Sequence, residues 1–345
     1  MISIIISPKF NKENLLSIHL ENKDKINFKN IKLCFSLVYS IKSLEGAIIT
    51  KQVGRYYELN LMKKNLLSNE KNIINIQLQI PRTGTYNLSC GPEGIFILDD
   101  SNNLIRSELK NLKFDQPITK KNYEKINIKI INPIIPEPLK SNLSNNFLQN
   151  SDKIFFSTSE ELQRVFNSLK STSNTLGINF NTNIGIEIKF NKVEMQKDAY
   201  KIIINSQNVQ IYSNGYGGNF YALVSILQLA DYYLGDLPIG EIEDRPRFNW
   251  RGMHLDCSRQ FHSIDQIKRL LIYMSLFKLN RFHWHLTDNE AWRLDLESFP
   301  NLAKKSSFRG YKEIIPPLYG SGYFKSGGYY SKEDVKKLII FAKNL

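Results

Sequence analysis

Charged side chains follow two short apolar runs in the last third of the sequence. Arg259 comes just after the run at 253–257, and Asp288 comes just after the run at 280–286. The segment between the runs has helical spacing, and a helix that joins two strands over short loops makes those strands parallel. Barrel enzymes place their chemistry at the carboxyl ends of such strands. The sequence therefore predicts that Arg259 and Asp288 lie on neighbouring loops of one site.

The residue types at these positions suit the binding of hydroxyl groups. The Arg259 guanidinium can donate two parallel hydrogen bonds to adjacent hydroxyls of a sugar, and a held carboxylate such as Asp288 can bind hydroxyls or orient a histidine. Eight of the twelve arginines lie between positions 245 and 309, which favours specific polar recognition there. His285 and Trp292 are candidate supporting residues. The alternative is that each of these two residues is only half of a structural ion pair.

Two histidines raise the alternative of a metal-dependent barrel hydrolase. His283 and His285 stand two residues apart on the second predicted strand, so their side chains point to the same face. A catalytic zinc site needs a third protein ligand, and the only other histidines are His19, His254 and His262. The sequence therefore favours packed, hydrogen-bonded histidines, and we expect neither a metal nor a cofactor.

Helix signals surround the two strands. Ser263 and Gln266 form a capping-box pair that predicts a helix start. The apolar face of that helix comprises Ile267, Leu270, Leu271, Met274 and Phe277. A last helix is predicted from Ser331, with an apolar stripe of Val335, Leu338, Ile339 and Ala342.

The pattern of strands and helices predicts three domains. Residues 1–130 alternate β-rich runs, at 16–20, 31–39, 73–80 and 94–98, with turn residues, which predicts a β-sandwich. Residues 131–244 predict a small α+β domain, with a hairpin around 205–208 and a helix from about Asn219. Residues 245–345 predict the first two βα units of a (β/α)8 TIM barrel. The proline-bearing segment 132–138 and the polar stretch 141–152 are interpreted as a linker. The fold class is therefore multidomain, with α+β and α/β parts.

Composition and charge exclude several classes of protein. The 345 residues carry a formal net charge of +13, but the lysines are scattered, whereas nucleic-acid binding is typified by a basic stripe. Cys34, Cys90 and Cys257 lie far apart without metal spacing, which predicts buried thiols in a reducing compartment. The sequence shows neither a signal peptide nor the roughly 18 apolar residues of a membrane helix. We expect a cytoplasmic protein that binds neither nucleic acid nor membrane, and make no prediction of its oligomeric state.

A series of motifs resembles glycoside hydrolase family 20, the β-N-acetylhexosaminidases. The motif at the second strand is His283-Trp284-His285-Leu286-Thr287-Asp288. The other matching segments are Ile135-Pro136-Glu137-Pro138, 218–222, 244–248, Trp250-Arg251-Gly252, Leu255-Asp256, Ser258-Arg259, Lys278-Leu279-Asn280, Trp292-Arg293, Phe299-Pro300 and 327–334. Their order over more than a hundred residues makes the resemblance specific.

The resemblance implies a retaining hydrolase that removes terminal N-acetylhexosamine from a saccharide. In the family, the acetamido oxygen of the substrate attacks the anomeric carbon, so that the usual two-carboxylate scheme does not apply. By this resemblance, Arg259 would hold the hydroxyls at carbons 3 and 4. Asp288 would belong to a relay that links a later histidine to the catalytic glutamate. A carbohydrate-binding protein that has lost catalysis is the rival interpretation.

Three departures from the family pattern bear on activity. Gln260 stands where the family usually has histidine, and Asn289 stands where it usually has a second acidic residue. We expect both to adjust the site without removing sugar recognition. Residues 251–345 are too few for a whole barrel of about 250 residues. The acid/base glutamate and its aspartate partner are expected beyond Leu345, so the chain alone is expected to be inactive.

Overall fold

The computed structural model describes residues 1–9, 14–80, 91–110, 132–149, 153–156, 160–181 and 186–345. The chain divides into two compact units. The first unit comprises Met1–Ile126, Cys257–Phe261 and Leu286–Tyr330, and the second comprises Asn127–Asp256, His262–His285 and Ser331–Leu345. Each unit thus combines segments that are distant in the sequence. Cys34 and Cys257 are buried free thiols, and Cys90 lies outside the described residues.

Two five-stranded sheets make up the N-terminal part of the first unit. The strands are β1 (Ile2–Lys9), β2 (Leu15–Asn22), β3 (Phe28–Lys29), β4 (Lys32–Ser36), β5 (Ser40–Glu45), β6 (Ala47–Val53), β7 (Tyr56–Leu61), β8 (Asn65–Leu66), β9 (Lys71–Gln79), β10 (Glu93–Leu98), β11 (Leu104–Ile105) and β12 (Ser107–Leu109). One sheet has the order β12-β1-β2-β9-β5 and the other the order β11-β10-β4-β7-β6, while β3 pairs with β8.

The two sheets share one hydrophobic core. Ile18 and Ile76 of the first sheet and Leu33 and Leu59 of the second belong to a single buried cluster. Side chains alternate between faces along a strand, so the period-2 apolar pattern places these residues on the inner face of each sheet. The predicted strands at 16–20, 73–80 and 94–98 are therefore confirmed, with small changes at their ends. The run predicted at 31–39 forms a shorter strand, β4.

A seven-stranded mixed sheet with two helices forms much of the second unit. Its elements are β13 (Lys140–Leu148), β14 (Lys153–Phe156), α1 (Glu160–Thr175), β15 (Asn179–Asn181), β16 (Ile186–Lys192), β17 (Tyr200–Ile204), β18 (Asn208–Ser213), α2 (Tyr216–Tyr232) and β19 (Leu237–Asp244). The strand order is β13-β19-β17-β18-β16-β14-β15. The predicted hairpin is confirmed, because β17 and β18 pair antiparallel.

One prediction for this region is wrong, and the predicted second helix is present with an earlier start. The polar stretch from 141 is not a linker up to 148, because β13 pairs antiparallel with β19 at the edge of the sheet. Most side chains of β13 are exposed, so polar residues are tolerated there. The second helix begins at Tyr216, three residues before the predicted start. Gly218 lies inside its first turn, where a Cβ atom would come within 2.7 Å of the Ser213 Cβ.

A strand, a helix and a second strand follow in the second unit. They are β20 (Gly252–Asp256), α3 (Ile264–Leu276) and β21 (Arg281–His285). β20 and β21 pair in parallel, with His254 opposite His283 and Asp256 opposite His285. The predicted capping box of Ser263 and Gln266 is present. Of the predicted apolar face, Ile267, Leu271 and Met274 are buried and Phe277 is exposed, because the helix ends at Leu276.

Short elements complete the described chain. The first unit contains β22 (Thr287–Asp288), β23 (Ala291–Trp292), α4 (Pro300–Ser306), β24 (Phe308–Arg309) and β25 (Ser326–Gly327), and the second contains α5 (Lys332–Lys343). Ser331 caps α5 as predicted, but only part of the predicted apolar stripe is buried: Leu338 is buried and Ile339 is exposed. Among the described helices, none is both long and apolar enough to cross a membrane.

Candidate functional site

Arg259 and Asp288 are in direct contact within the first unit. Arg259 lies in the turn after β20, and its Nη1 donates a 2.8 Å hydrogen bond to Asp288 Oδ2. Asp288 is held by a hairpin, because β22 and β23 pair antiparallel across Asn289 and Glu290. The Asn289 backbone N–H also donates to Asp288 Oδ1 at 2.7 Å. Arg259 and Asp288 therefore lie next to each other, in an ion pair that the structural alternative also expects.

Glu290 brings a second carboxylate to the same guanidinium. Its Oε2 lies 3.1 Å from Arg259 Nη2, an ion pair whose angle does not make an aligned hydrogen bond. The side chains of Arg259, Asp288 and Glu290 keep 35%, 27% and 24% of their surface exposed. Arg259 is thus oriented by two carboxylates and still reaches solvent, as a residue that binds a ligand must. The sequence pattern does not single out Glu290, although Glu290 follows Asn289, the position at which the family usually has a second acidic residue.

Tyr319 holds the other oxygen of Glu290. Its hydroxyl donates a 2.8 Å hydrogen bond to Glu290 Oε1. Burial raises the pKa of Tyr319, the hydrogen bond and negative charge of Glu290 act in the same direction, and a hydrogen bond with Arg259 and the charge of Arg55 act against them, with a net rise. Tyr319 therefore stays a neutral donor at physiological pH. No local sequence signal connects it with Glu290.

Two buried arginines hold the loops that carry this cluster. Arg293 is 1% exposed and donates from Nε to Cys257 O at 2.9 Å and from Nη2 to Ser258 O at 3.1 Å. Arg309 donates from Nη2 to Ser258 O and to Glu290 O, both at 3.0 Å, and its Nη1 donates to Arg259 O. Two of the eight arginines between positions 245 and 309 thus bind backbone carbonyls. These contacts link the turn of Arg259 to the hairpin of Asp288.

Trp292, a predicted supporting residue, lies on β23 and is half-buried. Its indole Nε1 donates a 2.8 Å hydrogen bond to Leu294 O. This contact orients the ring by satisfying its single donor.

The three histidines of the strand pair lie in the second unit. The His254 ring centroid lies 4.6 Å from that of His283 and 5.5 Å from that of His285. His285 Nδ1 lies 3.9 Å from Asp256 Oδ1. The rings of His254 and His283 pack edge to face. In the described ranges, no group of three His, Cys, Asp or Glu side chains could hold a metal ion. The alternative of a metal site at His283 and His285 is therefore not supported.

Family models match the second half of the chain. Residues 248–345 match the glycosyl hydrolase family 20 catalytic domain, and residues 132–245 match domain 2 of the same family. Together the two matches cover more than half of the sequence. The fold and the matched domains define the class as a glycosyl hydrolase. The chain belongs to glycoside hydrolase family 20.

Relatives and solved structures agree with this family. A β-hexosaminidase of Vibrio furnissii is 36% identical over 152 residues, which is 43% of this chain and 24% of the relative. An N,N'-diacetylchitobiase of Vibrio harveyi is 28% identical over 259 residues, or 71% of this chain and 29% of the relative. The matched part of the chain thus spans about a quarter of these relatives.

The fold is shared with a solved structure. The GH20 exo-β-N-acetylglucosaminidase of Vibrio harveyi, crystallised with N-acetylglucosamine, aligns with a TM-score of 0.77 at 23% identity. The alignment covers 99% of this chain and 55% of that protein. At this identity the similarity establishes the mixed α/β, multidomain fold.

Proposed function

We propose that this chain carries the sugar-binding part of a β-N-acetylhexosaminidase, which releases terminal N-acetylhexosamine by the retaining, substrate-assisted route. Arg259 binds the hydroxyls at carbons 3 and 4, and Asp288 orients the relay to the catalytic glutamate. The observation that carries the proposal is the Arg259 guanidinium, oriented by Asp288 and Glu290 and partly open to solvent. Family membership and the N-acetylglucosamine-bound relative support the choice of sugar.

We further propose the three-domain division at 1–130, 131–244 and 245–345. The shared core of the two N-terminal sheets supports the first domain as a β-sandwich. The seven-stranded sheet with α1 and α2 supports the second as a small α+β domain. The parallel pair of β20 and β21, joined by α3, supports the third as the first βα units of a TIM barrel.

We propose that catalysis also requires the family's acid/base glutamate and its aspartate partner, which the family resemblance places on a later barrel strand than β20 and β21. The chain is therefore expected to bind N-acetylglucosamine without hydrolysing a chromogenic N-acetylglucosaminide. Clear turnover by the purified chain would contradict this placement of the catalytic pair, while supporting the class of reaction.

Titration calorimetry with N-acetylglucosamine tests sugar binding. The Arg259→Ala variant should bind at least about tenfold more weakly, because charge-assisted hydrogen bonds are worth roughly 1.5–3 kcal/mol. Arg269→Ala is the matched control, since Arg269 is an exposed arginine on α3. Equal affinities of the wild type and both variants would exclude Arg259 as the sugar ligand.

The affinity itself separates this proposal from the rival, a binding protein without catalysis. The rival is favoured by the completeness of the Arg259 cluster, which needs no acid/base pair. If this chain carries only part of the hexosaminidase's sugar contacts, it should bind weakly, with a dissociation constant of about 1 mM or more. A binding protein with a complete site of its own should reach about 10 μM. Tight binding that is lost in Arg259→Ala would establish the rival.

A further inference from the structure

We propose that the N-terminal sheets form part of the sugar-binding site, and that Tyr319 is the positioning residue through which they act. The inference rests on the proposed role of Arg259. Tyr319 donates to Glu290 Oε1 at 2.8 Å, and Glu290 Oε2 faces Arg259 Nη2 at 3.1 Å. The Glu290 carboxylate is therefore held between Tyr319 and Arg259, and the phenol also interacts with Arg259 directly, so Tyr319 helps to set the position of the guanidinium.

An arginine from the N-terminal sheets contacts the ring of Tyr319. The Arg55 guanidinium, in the turn between β6 and β7, lies 5.7 Å from the ring centroid. The Arg309 guanidinium lies 5.0 Å from the same centroid. Cations at these distances from an aromatic ring attract it electrostatically. Two cations thus restrain the ring whose hydroxyl holds Glu290.

The backbone at Tyr319 is also held in an uncommon conformation. Its φ of 52° lies in the left-handed region, which bulky residues rarely adopt. Such a conformation persists where the surroundings over-determine it, and it concentrates at functional sites. The left-handed conformation of Tyr319 therefore costs local stability, and it places this side chain.

The loop around Tyr319 is anchored on strands of the N-terminal sheets. Ser36 of β4 donates a buried 2.8 Å hydrogen bond to Pro317 O. Gly94 of β10 lies so close to the loop that a Cβ atom there would stand 2.5 Å from Gly320 O. Farther along β10, Phe96 packs against Tyr323, with ring centroids 5.6 Å apart. These contacts fix the loop on both sides of Tyr319.

A purely structural role for the loop makes a different prediction from a positioning role. If Tyr319 only stabilises the fold, loss of its hydroxyl changes the stability and leaves the sugar affinity unchanged. If it positions Arg259, the same change lowers the affinity through Glu290, and the ring contacts with Arg55 and Arg309 survive.

The Tyr319→Phe variant tests the inference, because it removes the hydroxyl and keeps the ring. We expect N-acetylglucosamine to bind about fivefold more weakly in calorimetry, as for the loss of one hydrogen bond. Tyr323→Phe is the matched control, since its hydroxyl makes no hydrogen bond within the described residues. Arg55→Ala should weaken binding about twofold, whereas Arg106→Ala, at an exposed position between β11 and β12, should not.

A double-mutant cycle of Tyr319→Phe with Glu290→Gln measures whether the two losses of sugar affinity are coupled. A purely structural role of Tyr319 does not change this coupling. If Tyr319 acts through Glu290, the losses of affinity in Tyr319→Phe and Glu290→Gln should not add. The NMR resonance of Arg259 Nε should also shift in Tyr319→Phe and not in Tyr323→Phe, whether or not sugar is present. Absence of sugar binding by the wild type would overturn the proposed function. Wild-type binding with unchanged affinity and an unchanged Nε resonance in Tyr319→Phe would overturn only this inference.

Discussion

Two clusters among the described residues each combine a cation with a carboxylate and a tyrosine, and they differ mainly in burial. In the first unit, Arg259 pairs with Glu290, which accepts a hydrogen bond from Tyr319. In the second unit, Lys278 Nζ lies 3.1 Å from Asp244 Oδ2 and donates to Tyr200 at 2.8 Å. The Lys278 and Asp244 side chains are only 8% and 14% exposed, against 35% and 24% for Arg259 and Glu290.

The difference in burial separates a structural network from a binding site. A buried ion pair has lost its water, so removing one partner strands a charge in a medium that solvates it poorly. Burial lowers the pKa of Lys278 even though the Asp244 carboxylate acts in the opposite direction. An exposed pair keeps part of its water and costs little to break. The exposed cluster can therefore exchange contacts with a ligand at little cost. Tyr200, Asp244 and Lys278 line a cavity of about 570 Å³, but breaking their buried ion pair to bind a ligand costs more.

The largest expected effect is on stability in the buried cluster. Lys278→Met should lower the free energy of unfolding by about 3–5 kcal/mol, because Asp244 is left buried without its cation. Urea denaturation measures the loss. Lys268→Met on α3 is the control: Lys268 makes an exposed pair with Asp265 and lies 5.8 Å from the ring centroid of Phe341, so its loss should change stability by about 1 kcal/mol or less.

A second substitution sharpens this expectation. Asp244→Asn removes the stranded charge, so the double variant should lose less stability than the sum of the two single variants. If instead the two losses add, Lys278 and Asp244 do not act as a pair, and burial is not what distinguishes the two clusters.

An intermediate effect is expected from the two tyrosines at alkaline pH. Burial raises the pKa of Tyr200 well above its ordinary value of 10, and the Asp244 charge adds to this. Below pH 10 the Tyr200 phenol is protonated in both the folded and the unfolded chain, so its contribution to the free energy of unfolding is intact. Above pH 10 the unfolded chain loses the proton first, so stability falls as the pH rises, by up to about 1.4 kcal/mol per pH unit.

Urea denaturation at about pH 9 and about pH 11 compares the two tyrosines. Tyr200→Phe should remove more of the alkaline loss than Tyr319→Phe, since the Tyr200 phenol is the more deeply buried. An equal response of both variants would place the two phenols in equivalent surroundings and remove the contrast between the clusters.

The sequence predicts those parts of the site that follow strand ends. Arg259 and Asp288 each come just after a strand, and parallel strands bring their ends together, so their contact follows from local pattern alone. Glu290 is not predicted, because its role depends on the two-residue hairpin turn. Tyr319 and Arg55 are distant in the sequence, and neither periodicity nor spacing connects them.

The errors in the fold have a similar origin. The edge strand β13 lacks an apolar alternation because most of its side chains are exposed, so its sequence has the polarity of a linker. The helix α2 has buried residues around most of its circumference, so no amphipathic stripe marks its first turn. In both cases tertiary position decides the structure, and a local pattern does not report it.

The smallest effect on stability is expected from Arg259→Lys, which keeps the charge and loses the planar, forked donor. More than a third of the Arg259 side chain is exposed, so its ion pairs are well solvated. The free energy of unfolding should therefore change by no more than about 0.5 kcal/mol. Sugar affinity should nevertheless fall about tenfold, since an ammonium cannot donate two parallel hydrogen bonds. Calorimetry and urea denaturation measure the two quantities on the same samples. A loss of stability as large as that of Lys278→Met, with sugar affinity unchanged, would make the Arg259 cluster a second structural network, and exposure would then be no guide to which cluster binds a ligand.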